Sequence, residues 1–91
     1  MLAPGPWVDW ECIIKILRGE LLQVEEFPQF PAFAFLIRGD AWPWPIFKSG
    51  RMAGPEIESL FAVAGLEFAR LEEYREKYCV NLPPPSHEVL H

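Results

Sequence analysis

Residues 32–38 read AFAFLIR. In an extended chain Phe33, Phe35 and Ile37 lie on one face, and Ala32, Ala34 and Leu36 on the other. Both sets are apolar, which predicts a strand in the middle of a sheet or beneath a helix. Gly39-Asp40 follows as a turn, where glycine supplies a positive φ and aspartate is a normal turn residue. The same turn explains Arg38-Gly39-Asp40 better than an integrin-type adhesion tripeptide does. Beyond it, residues 41–48 contain Pro43 and Pro45, which remove two backbone donors. That segment is an edge strand or a polyproline-like arm.

Upstream, residues 20–27 alternate Leu22 and Val24 with Gln23 and Glu25, a strand pattern interrupted by Pro28 and Pro31. From Asp9 a helix over 9–18 is expected, with Asp9 as N-cap and Trp10, Ile13, Ile14 and Leu17 on one stripe before Gly19. The same residues also read as a strand, since Ile13, Ile14 and Ile16 favour a sheet and Arg18-Gly19 would then be a hairpin turn. Downstream, Pro55 stands at the start of a helix, with Glu56 and Glu58 in its first turn. An apolar stripe of Ile57, Leu60, Phe61, Ala64, Phe68, Leu71 and Tyr78 predicts one long helix over 55–78. Its second half, Arg70 to Lys77, is largely charged and is expected to project into water; Glu72 and Glu73 read as a solvated face.

These elements predict an α+β fold. A small antiparallel sheet of two to four strands from residues 20–48 packs against one long C-terminal helix, with a short N-terminal helix alongside in the helical reading of 9–18. The chain has 91 residues, which makes residues 1–82 a single domain and 83–91 a proline-rich tail. Cys12 and Cys79 have no CxxC spacing and read as free structural thiols. The opening MLAPGPWVDWE lacks a basic stretch ahead of an apolar run. No apolar run is long enough to span a bilayer. Together with the thiols, this predicts a cytoplasmic protein.

The net charge of −5 disfavours direct contact with nucleic acid or anionic lipid. Three stretches carry chemistry to weigh. His87, Glu88 and His91 have the H-E-x-x-H spacing of a zinc hydrolase. The second histidine ends the sequence, three prolines precede the motif, and no further histidine offers a third ligand, so a chance spacing explains it better. Arg38, Lys48 and Arg51 around the loop SGRMAGP could hold an anion at the helix start, yet the loop lacks a phosphate-binding pattern and solvated charges explain it better. Trp42 and Trp44, each followed by proline, form a stiffened aromatic arm suited to partner contact, although a core edge uses the same residues. Val63 and Leu66 lie off the helix stripe in a stretch nearly free of charge and need cover of their own. No Ser–His–acid set, close carboxylate pair or cofactor signature emerges.

The expected role is a small, acidic, non-catalytic protein-binding module: an adaptor, regulator or inhibitor, one that covers a basic nucleic-acid-binding surface among the options. Its contact residues are Trp42, Trp44, Val63 and Leu66, and its partner is another protein or a second copy of itself. No cofactor or metal is expected. The alternatives are a zinc-binding hydrolase through HEVLH and a small anion or ligand carrier.

Overall fold

A computed structural model describes residues 8–48 and 50–79. The HEVLH motif, Trp7, Ser49 and the proline-rich tail lie outside the described residues. The chain order is β1 (Val8–Asp9), α1 (Trp10–Gly19), β2 (Gln23–Glu26), β3 (Phe33–Ile37), β4 (Trp44–Phe47), β5 (Arg51–Met52), α2 (Gly54–Ala64), a 3-10 turn (Phe68–Arg70) and α3 (Leu71–Tyr78). The fold is α+β, with two small antiparallel sheets. One has the order β2-β3-β4; the other pairs β1 with β5.

AFAFLIR is the central strand, as its two apolar faces require. Ala34 and Leu36 face the core with Val24 of β2 and Ile46 of β4, all nearly inaccessible. Helix α1 contributes Cys12, Ile13, Ile14, Ile16 and Leu17 to the same core, so the helical reading of 9–18 is the one the chain adopts. At the strand ends Lys48 donates to the Glu26 carboxylate, and that bond holds the Glu26 pKa below its ordinary value. Arg18 reaches the same carboxylate and donates to the Val24 carbonyl.

Strand β4 is an edge, and its prolines show how. Lys48 N–H donates to Ala32 O at 2.8 Å, and the register pairs Ile46 with Ala34 and Trp44 with Leu36. In an antiparallel ladder the bonded positions alternate. The even-numbered residues therefore turn toward β3, while Pro43 and Pro45 fall at outward positions where no ladder bond is lost. The same prolines leave the edge short of donors and unfit to pair with another strand.

One long helix over 55–78 is not formed. Helix α2 spans 11 residues and stops at Gly65, which has φ 78°. Leu66 N–H donates to Phe61 O and Gly65 N–H to Ala62 O, the two bonds of a Schellman ending. The chain then turns through residues 66–70, and α3 comes to pack against α1. The half expected to project into water thus buries Leu71 and Tyr74. At the other end of α2, Glu56 Oε1 accepts from Ala53 N–H at 3.0 Å and satisfies a first-turn donor.

The free-thiol reading of the cysteines is also overturned. Cys12 on α1 and Cys79 at the end of α3 form a disulfide, with their Cα atoms 5.5 Å apart. Sequence spacing carries no sign of it, because only the packing of α3 on α1 brings the two sulfurs together.

Helix α1 ends with an unusual residue. Leu22 N–H donates to Leu17 O and Leu21 N–H to Arg18 O, so Leu21 occupies the left-handed position, with φ 67°. Gly19, expected to end this helix, lies inside it for a steric reason. A Cβ there would stand 2.3 Å from Cε1 of Tyr78, whose hydroxyl meets Gly19 O and the Glu20 carboxylate. Leu21 is 92% exposed and gives nothing to the core in return for its strain. Leu21→Gly is expected to raise stability by about 1 kcal/mol, the cost of a left-handed L-residue. A chemical denaturation curve checks this, and a lower midpoint would contradict it.

Candidate functional site

The outward face of the three-stranded sheet is aromatic. Phe33 and Phe47 face each other across β3 and β4, with ring centroids 5.4 Å apart. Phe33 lies 6.0 Å from Phe35 on the same strand. Phe27 and Phe30, from the connection between β2 and β3, pack on Phe35 at 5.6 and 5.8 Å. Phe30 and Phe47 remain about half exposed. Five phenylalanines therefore form one continuous surface on a sheet whose other side is core.

Local sequence builds this cluster. Residues 27–33 read FPQFPAF, a phenylalanine every third position with proline after the first two. Phe30 N–H donates to Phe27 O, and Phe33 N–H to Phe30 O. These are two successive turns, with Pro28 and Pro31 at the position where proline pre-sets φ. The turns carry Phe27 and Phe30 back over Phe35. Reading the prolines only as strand breakers hides this; the three-residue period was the signal that could have revealed it. At the rim, Glu25 accepts from the Gln23 amide at 3.0 Å and adds negative charge beside the aromatics.

The tryptophan arm borders this face without sharing it. Trp42 is 92% exposed and precedes β4. Trp44 belongs to the inward row with Ile46 but is only partly covered, at 38% exposed. It lines an open groove of about 500 Å³ that runs along β4 and is walled by Phe33, Pro45, Phe47, Met52, Glu56 and Ser59. Val63 lies four residues beyond Ser59, on the same side of α2, half-buried against the core. Leu66 is likewise half-buried on the core, just beyond the Gly65 ending.

Other chemistries find less support in the geometry. Among the described residues no group of three or more His, Cys, Asp or Glu side chains could hold a metal ion. At the α2 start, the Glu56 carboxylate occupies the place an anion would take, and Arg51 is held in β5 opposite Asp9. No helix among the described residues is long and apolar enough to cross a membrane. No family model, curated protein or solved structure matches this chain.

Proposed function

We propose that this chain is a small acidic protein-binding module, an adaptor, regulator or inhibitor without catalysis of its own. The observation that carries this reading is the phenylalanine surface built by FPQFPAF on the outer side of the sheet. An apolar surface continuous over five aromatic rings marks an interaction site more often than an idle surface, and aromatic side chains are enriched in interface cores. Trp42 and Trp44 extend it on one flank, and the exposed parts of Val63 and Leu66 extend the module's apolar surface along α2.

The occupant we favour is another protein with an apolar centre and a basic rim. Two copies of a chain of charge −5 repel one another, and Glu25 stands at the edge of the face, whereas a basic rim would be drawn to it. A surface that itself binds nucleic acid has that character. The disulfide favours an oxidising compartment over the cytoplasm, where thiols are kept reduced.

Phe27→Ser combined with Phe30→Glu tests the reading, because both rings lie outside the core. The double variant is expected to unfold at nearly the wild-type midpoint while losing at least about tenfold in affinity for a partner captured by the wild-type protein. Undiminished capture by the folded variant would refute the assignment. Conversion of a wild-type dimer into a monomer would show that the occupant is a second copy.

A further inference from the structure

We infer that the groove between β4 and α2 binds a proline-rich peptide in the polyproline II conformation, carrying an arginine or lysine beside the prolines. This rests on the protein-binding reading and adds the class of ligand for a groove at the edge of the aromatic face, with which it shares Phe33 and Phe47. The walls supply what such a peptide needs. Phe33, Trp44 and Phe47 offer aromatic surface for proline rings, and Met52 makes part of the lining apolar. A polyproline II segment has no internal hydrogen bonds, so its carbonyls are open acceptors. The Trp44 indole N–H and the Ser59 hydroxyl are donors on the groove wall. Glu56 gives Oε1 to Ala53 N–H and has Oε2 to offer a cation. The negative charge of the whole chain acts in the same direction.

The edge argues against the main competing ligand, an added β-strand. Such a ligand is held by main-chain bonds to a free edge. Pro45 takes one of the two outward positions of β4 and Pro43 the outward position just before it, so two of the donors that would hold an incoming strand along this edge are missing. A polyproline II peptide needs none of them, since aromatic-lined grooves hold it through its side chains and carbonyls.

The test titrates the full chain with three synthetic peptides: consecutive prolines ending in two arginines, the same prolines ending in two glutamates, and an arginine-ended alanine peptide. Amide and indole shifts in ¹H–¹⁵N spectra report the contact. Binding is expected for the first peptide alone, with shifts confined to Trp44, Phe47 and the first turns of α2. Trp44→Ala should weaken it at least about tenfold. Glu56→Gln can still accept from Ala53 N–H, and should reduce the preference for arginine over glutamate ends without changing the unfolding midpoint. Should Trp44→Ala prove unfolded, Ser59→Ala, an exposed position, is expected to weaken binding on its own. Equal binding of all three peptides, no saturable shifts, or shifts at Phe27 and Phe30 instead would overturn the inference. The Phe27/Phe30 variant leaves the groove intact, so failure here and failure of the partner face are read separately.

Discussion

Replacing Phe61 with alanine is expected to cost about 3–5 kcal/mol, the largest effect of any single core substitution here. Its ring is fully inaccessible. Tyr74 of α3 meets it edge-on at 5.7 Å, and Phe68 of the intervening turn meets it edge-on at 6.4 Å. Phe61 itself sits in the last turns of α2, just before the Gly65 ending. One residue therefore joins three consecutive elements, and its loss leaves a cavity that neither neighbour fills without moving. Domains of this size have only about 5–15 kcal/mol in total, so the variant should be largely unfolded at modest urea concentrations. Phe68 is half-buried, and Phe68→Ala should cost clearly less. Urea titration followed by far-UV circular dichroism measures both. A Phe61→Ala midpoint close to wild type would mean that α2 and α3 do not meet around this ring.

Removing the Cys12–Cys79 disulfide is the second large effect. The bond closes a loop with a sequence separation of 67. In the chain-entropy account, a loop of that length stabilises the fold by about 4 kcal/mol, and strain or residual structure lowers the figure in practice. The double variant Cys12→Ala/Cys79→Ala should therefore melt at least about 10 °C below wild type. Dithiothreitol should bring the wild type down to a similar value. The effect should fall first on α3, which keeps the Tyr78 contact with Gly19 and Glu20 at the end of α1 and the burial of Leu71 and Tyr74 in the core. Hydrogen exchange would show its amides opening before those of β3. Thiol titration in denaturant gives the direct check: no free thiol before reduction and two after. Two free thiols in protein purified without reductant, with unchanged melting, would remove the bridge from the description.

Much of the fold is legible in short stretches. AFAFLIR specifies a central strand because both of its faces are apolar. Pro43 and Pro45 specify an edge because proline has no donor for a second neighbour. Gly39 takes a positive φ of 54° in the turn that follows. Asp9 stands at the N-cap position of a helix whose isoleucines and leucine all face inward, although its side chain makes no capping bond. Each is a local backbone or burial preference, and each survives in the folded chain.

The sequence by itself therefore determined the three strands of the larger sheet, its edge and the acidic character; for residues 9–18 it left helix and strand open, and packing selected the helix. Tertiary structure alone decided the rest. Apolar spacing runs on past Gly65 through Phe68 and Leu71, so periodicity could not reveal the break; the left-handed glycine and its two capping bonds end α2 there. Both sides of AFAFLIR are apolar, so alternation could not say which became core. Packing placed Ala34 and Leu36 inward, and left the phenylalanines on the outer face of the sheet. The cysteines have a sequence separation of 67, and they become neighbours only when α3 lies on α1. Local preference is carried by adjacent residues, whereas the choice between two apolar faces, and the pairing of distant side chains, depends on what the rest of the chain brings against them.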